Sequence, residues 1–124
     1  MIYDHFNSFI ANVSDQTTLV ALDLGEKTIG VAISDLNWLV ATPLYTVIRR
    51  KFTLDSNKVL ALGNERPLGA VIVGLPLNMN GSEGPRCQST RAFARNLSKK
   101  TDLPIYLSDE RLSTVAAERA LIEG

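Results

Sequence analysis

Phe6, Phe9, Ile10 and Val13 recur at helical spacing, so the chain is expected to open with a short amphipathic helix over residues 4–13. The pattern then changes. Thr18-Leu19-Val20-Ala21-Leu22 is a continuous, partly β-branched run ending on Asp23 and the turn-former Gly25, which reads as a strand with a polar tip. Thr28 to Ile33 repeats the strand pattern one tight turn later, giving an antiparallel hairpin closed by Asp35 and Asn37. A third strand is expected over about 39–48, with Pro43 placing it at a sheet edge, where a missing ladder donor is tolerated. A helix with Asp55 or Ser56 as its cap then runs to Asn64 and is stopped by Gly63 and Pro67.

Ala70 to Leu75 is apolar without alternation, as in a central strand covered on both faces. The glycine-rich stretch from Pro76 to Gly84 leads to a helix opened by Pro85, with an apolar stripe of Cys87, Thr90, Phe93, Ala94 and Leu97. A last strand over 103–107 ends in Ser108-Asp109-Glu110-Arg111, and Ser113 or Thr114 caps a final helix through Ile122. Three meandering strands followed by helix, strand, helix, strand, helix make an α/β chain with a mixed sheet.

With 124 residues, 45% of them apolar and 21% charged, the chain is expected to form one packed domain rather than a disordered or two-domain protein. No apolar run reaches the roughly 18 to 20 residues of a membrane span, and no signal-peptide pattern opens the sequence, so a cytoplasmic location is expected. Cys87 is the single cysteine, which excludes an internal disulfide and a cysteine metal cluster. Thirteen basic and thirteen acidic residues cancel, so any nucleic-acid surface must be local. Basic residues gather at Arg49-Arg50-Lys51, along Arg86, Arg91 and Arg95, and at Lys99-Lys100, each group readable simply as a solvated face.

Acids at strand ends are the first candidates for chemistry, because a sheet fixes their backbone while leaving the carboxylates open. Asp23 and the pair Asp109-Glu110 occupy such positions. Hard cations such as Mg²⁺ bind through a few carboxylates plus water and substrate phosphate, and a bound ion polarises a phosphodiester and acidifies water. The competing reading is capping or ion pairing, with Arg111 at hand. The Pro76–Gly84 loop places Asn78, Asn80, Gly81 and Ser82 before a helix N-terminus that also carries Arg86, a setting in which free amides attract phosphate. His5 and Trp38 are expected to be a surface and a packing residue.

Taken together, Ala21-Leu22-Asp23-Leu24-Gly25 with Ile29-Gly30-Val31-Ala32 and Asp35, then Val73-Gly74-Leu75-Pro76-Leu77-Asn78-Met79-Asn80-Gly81, then Asp109-Glu110-Arg111-Leu112-Ser113-Thr114 with Ala117-Glu118, strongly resemble the YqgF family, also called RuvX. The resemblance covers roughly residues 18 to 124. It implies an RNase H-like fold, with a three-strand antiparallel meander, two parallel strands and helices on both faces. It also implies an Mg²⁺- or Mn²⁺-dependent nuclease that matures the 5′ end of precursor 16S rRNA. An older reading of the family is a Holliday junction resolvase, for which a homodimer is expected because a symmetric cut needs a two-fold axis.

By position, Asp23 and Glu110 would hold the metal, with Asp109 as the third catalytic acid. Asn78, Asn80, Gly81, Ser82 and Arg86 would hold the nucleic-acid backbone, and Arg111 would organise the acids or touch phosphate. Family members continue past the equivalent of Gly124 into a helix bearing a further aspartate, so the sequence as given is expected either to be a fragment or to carry an incomplete site. Asp35 is excluded as a substitute because it lies at the far end of the hairpin from Asp23. The incomplete site keeps a non-catalytic RNA- or ribosome-binding module in play. An actin-like ATPase, whose domains also open on an Asp-x-Gly hairpin, would need a second lobe.

Overall fold

A computed structural model describes residues 1–109 of the chain. Its elements are β1 (Ile2–Tyr3), α1 (Phe6–Ile10), β2 (Thr18–Leu24), β3 (Thr28–Ser34), β4 (Ala41–Ile48), α2 (Phe52–Leu60) running into a 3₁₀ turn (Ala61–Asn64), β5 (Leu68–Leu75), α3 (Pro85–Ser98) and β6 (Ile105–Asp109). The strands form one sheet in the order β1-β6-β5-β2-β3-β4. β2, β3 and β4 pair antiparallel, whereas β5 pairs parallel to β2 and to β6, giving the expected mixed sheet.

The alternation along β2 divides the core. Val20, Leu22 and Leu24 point to one face, where Val59 of α2 and Phe93, Ala94 and Leu97 of α3 cover them. Phe52 meets Phe93 edge-on at 5.1 Å and joins the two helices over this face. On the opposite face Leu19 and Ala70 pack with Phe9 and Val13, and the Phe9 ring stacks on Tyr106 at 5.2 Å. The short α1 reaches only the N-terminal end of β2 on that face. Helices therefore lie on both faces, as expected. The stripe Cys87, Thr90, Phe93, Ala94 and Leu97 is buried as its spacing predicts.

Several boundaries differ from the sequence reading. The opening helix is confined to Phe6–Ile10, and ahead of it Ile2 and Tyr3 pair parallel with Ile105 and Tyr106, which adds a sixth strand at the sheet edge. α2 starts at Phe52, with Lys51 at the cap position and no side-chain cap; Asp55 lies inside the helix, buried, and accepts the Arg50 backbone N–H. Ser56 is likewise internal and receives the Lys100 ammonium at 2.7 Å. The last strand runs two residues further than expected, to Asp109. The final helix expected beyond Ser113 lies outside the described residues.

Two irregularities have a local cause. β4 is an edge strand, and Pro43 sits beside a bulge in which Leu44 is the extra residue between the Val31–Tyr45 and Ala32–Pro43 pairs. At the other end of the sheet, Gly69 is the extra residue between the Thr18–Leu68 and Leu19–Ala70 pairs, and the Thr17 side chain occupies the space its Cβ would need.

Candidate active site

Parallel strands β2, β5 and β6 end together, and the residues at their C-terminal ends are the ones the sequence marks as chemical. Asp23 is exposed and lies one residue beyond the Leu22–Val73 pair; Ser108 pairs with Gly74 and Asp109 with Leu75. Asp23 and Asp109 line one open groove of about 770 Å³, together with Ala21, Gly30, Tyr45, Gly74 and Ser108. Gly30 and Gly74 flank Asp23 on its neighbouring strands, α1 covers the opposite end of this face, and Ile72 and Leu44 also line the groove. The two glycines leave open space directly beside the Asp23 carboxylate.

Asp35 is held elsewhere. Its carboxylate accepts the Leu39 backbone N–H at 2.8 Å and shapes the β3–β4 turn, beyond the end of β3 remote from Asp23. Trp38 donates its indole N–H to the Thr17 carbonyl at 2.6 Å and packs against the α1 side of the core, as expected of a packing residue. Cys87 is buried and free. Glu110 and Arg111 lie outside the described residues, and among the described residues no group of three or more potential ligands is assembled.

The loop between β5 and α3 is built on its own side chains. Asn78 Nδ2 donates to Ser82 Oγ at 2.9 Å, while Ser82 Oγ and its backbone N–H both donate to Asn80 Oδ1 at 2.7 and 3.0 Å. The Gly81 N–H returns to the Asn78 carbonyl with φ at 87°, a conformation that favours glycine. These residues fix the loop's shape through bonds to one another. Arg86 is anchored differently: from the first turn of α3 its guanidinium donates to the Leu24 carbonyl at 3.2 Å, which brings a cation to the strand end beside Asp23.

Sequence reasoning saw Arg49 only as part of a basic cluster, and the fold brings it to the same hairpin tip. Arg49 donates from Nη1 to the Gly25 carbonyl at 2.8 Å, a contact across 24 residues that no local pattern signals. The Tyr45 side chain lies on the other face: Tyr45 pairs with Val31 of the α2–α3 core, and burial first, then the nearby Glu65, pushes its pKa up.

A family model described as RuvX, Holliday junction resolvase, matches residues 17–124. The chain belongs to the RuvX family. A protein of Ruegeria sp. named "Putative pre-16S rRNA nuclease" is 64% identical over the whole RuvX chain, which spans 79% of that relative. One of the same name from Roseobacter denitrificans is 59% identical, with this chain spanning 77% of it. Among solved structures, Thermus thermophilus RuvC in complex with Holliday junction substrate is similar at a TM-score of 0.52 and 13% identity, over 86% of this chain and 79% of that one. Archaeoglobus fulgidus Pelota is similar at a TM-score of 0.55 and 12% identity, over 89% of this chain and 32% of that one. The RuvX chain has an RNase H-like fold, and at such identities the two structures speak to the fold alone.

Proposed function

We propose that this RuvX chain is a metal-dependent nuclease that hydrolyses phosphodiester bonds at the C-terminal edge of its sheet, with precursor 16S rRNA as substrate. The observation that carries the reading is the exposed Asp23 carboxylate sharing an open groove with Asp109, in a chain 64% identical to a relative named for that activity. The described donors in the groove are oxygen atoms, from Asp23, Asp109 and the Ser108 hydroxyl, which suits Mg²⁺ or Mn²⁺ held through one or two carboxylates plus water and substrate phosphate. Glu110, next in the chain, is the proposed further ligand. When bound, such an ion supplies Lewis-acid polarisation and an acidified water.

The chain's own residues bind and orient. Asp23 presents its charge from a strand whose backbone is fixed on both sides, so little ordering is needed when substrate arrives. The Pro76–Gly84 loop, Arg86 and Arg111 are the proposed backbone contacts on the α3 side. Arg86 spends one N–H on the Leu24 carbonyl and retains the rest of its fork for a phosphate. A ribosomal RNA substrate places the protein in the cytoplasm.

The test is cleavage of a single-stranded RNA, a precursor rRNA 5′ leader and a four-way DNA junction with Mg²⁺ or Mn²⁺, by the chain and by Asp23→Asn. Metal-dependent cutting of the leader that falls by at least about two orders of magnitude in Asp23→Asn supports the reading, the scale expected when a transition-state charge partner is lost. Preference for the junction, together with a two-fold dimer, would assign resolvase activity instead. Binding without cutting would leave a non-catalytic RNA-binding module.

A further inference from the structure

Two guanidinium groups hold the tip of the β2–β3 hairpin from opposite sides. The sheet order places β5 and the following α3 on one side of β2, and β3 and β4 on the other. Arg86 reaches in from the α3 side to the Leu24 carbonyl, and Arg49 from the end of β4 to the Gly25 carbonyl. Asp23 lies one residue before the first carbonyl and two before the second. Arg49 is firmly positioned: its backbone N–H continues the ladder by bonding the Lys27 carbonyl at 2.9 Å, and its side chain is partly buried. The tip it holds is tight, since the Gly25 N–H bonds the Thr28 carbonyl at 2.8 Å and a Cβ on Gly25 would come within 3.1 Å of that oxygen.

Neither arginine is neutralised by a described acid. The ion pairs of the described residues involve only Arg66 and Arg91. One N–H of Arg49 serves the fold, and the others remain for a ligand that is anionic and rich in acceptors. Arg50 and Lys51 follow directly and are exposed, so the positive charge continues along the chain away from Asp23. We propose that Arg49 is a phosphate-binding residue which, with Arg50 and Lys51, carries the nucleic-acid backbone across the β4 side of the hairpin, opposite Arg86. The strand then passes over Asp23 between two cationic supports. This deepens the nuclease reading and rests on it.

Arg49→Gln removes the charge and leaves a neutral amide donor on a shorter side chain. The experiment measures binding of a single-stranded RNA to the Asp23→Asn chain, with and without Arg49→Gln, over a range of NaCl concentrations. Loss of one phosphate contact lowers the slope of log K against log salt by about 0.7 for a single strand, a change that a purely structural role does not produce. Arg49→Lys should retain the slope. In the cleaving chain, Arg49→Gln should raise KM with kcat nearly unchanged, because the contact is made equally in the ground and transition states.

An unchanged slope in folded Arg49→Gln overturns the inference while leaving the nuclease reading intact, provided Asp23-dependent cleavage is present. Absence of both binding and cleavage overturns the two together. Should Arg49→Gln melt below the assay temperature, the double variant Arg50→Gln/Lys51→Gln decides the path. Both side chains are exposed, so it should stay folded and lower the slope by about 1.4; no change would sink the proposed track.

Discussion

Asp23 stands directly opposite Gly30 in the β2–β3 pair, and a Cβ added to Gly30 would lie 3.6 Å from the Asp23 Cβ, an ordinary contact. Gly30 does not have positive φ, so its backbone does not require glycine. Its value is open space beside the carboxylate. Gly30→Ala should therefore stabilise the chain by about 0.5 kcal/mol, the usual gain over glycine inside a strand, while slowing cleavage. Gly30→Val should slow it further. Thermal melting alongside cleavage rates checks both parts, and a folded Gly30→Val with full activity would place the substrate somewhere other than over β3.

Gly69 is required for a different reason. A Cβ there would fall 2.0 Å from Thr17 Oγ1 and 2.5 Å from Thr17 Cβ, and Thr17 is itself tied to the Ser14 carbonyl at 2.7 Å. Gly69→Ala should cost about 1–3 kcal/mol as an overpacking strain. Thr17→Gly should recover much of that loss in the double variant, whereas Thr17→Ser should not, because the Cβ remains. Denaturant melts of the three variants measure it. The bulge lies at the end of the sheet remote from Asp23, so activity per folded molecule should hold.

The sequence discloses those parts of the fold that depend on a repeating period. Cys87 to Leu97 carries a helical stripe over more than two turns and is buried as read; Ala70 to Leu75, an unbroken apolar run, forms the expected central strand, but Ile72 and Gly74 are only half-buried because they line the open groove. Ile2 and Tyr3 are too few to carry a period, and they become a strand only because Ile105 and Tyr106 offer an edge from the other end of the chain. Asp55 looks like a cap because acids favour helix starts, yet its carboxylate reaches back from inside α2 to the Arg50 N–H. At the site, Asp23 is legible as an acid ending an apolar strand. Arg49 is not, since its partner is a backbone carbonyl whose position only the hairpin fixes.

Glu83 closes the loop onto α3. Its carboxylate takes two bonds from Arg91, at 2.7 and 2.8 Å, and Arg91 also approaches Asp4 at 3.5 Å. The Arg91 hydrogen bonds hold the Glu83 pKa below the ordinary carboxylate range. A carboxylate depressed in the folded state contributes stability above its unfolded pKa and loses it as pH falls through the folded value. Glu83→Gln should consequently melt below the parent chain at neutral pH, with the difference vanishing in acid once both forms are uncharged. The pair is solvent-facing, so added salt should shrink the neutral-pH difference as well. A gap that persists in acid would show that the residue acts through packing rather than charge.

Tyr106 offers a reading of Asp109 that does not depend on catalysis. Burial is the main cause of its raised pKa, and the charges of Asp109 and then Asp4 push it further in the same direction. Asp109→Asn should therefore lower the Tyr106 pKa part of the way toward the ordinary phenol value, with burial keeping the remainder. Tyr106 ionisation can be followed by ultraviolet or NMR titration with Tyr3 and Tyr45 replaced by Phe. A divalent cation bound at Asp109 would neutralise the same charge and act in the same direction. Ca²⁺, an oxygen-seeking ion that stays in solution at alkaline pH, should lower the Tyr106 pKa in the parent chain and leave it unmoved in Asp109→Asn. A response in both chains would assign the effect to general screening, and a response in neither would remove Asp109 from the set of proposed ligands.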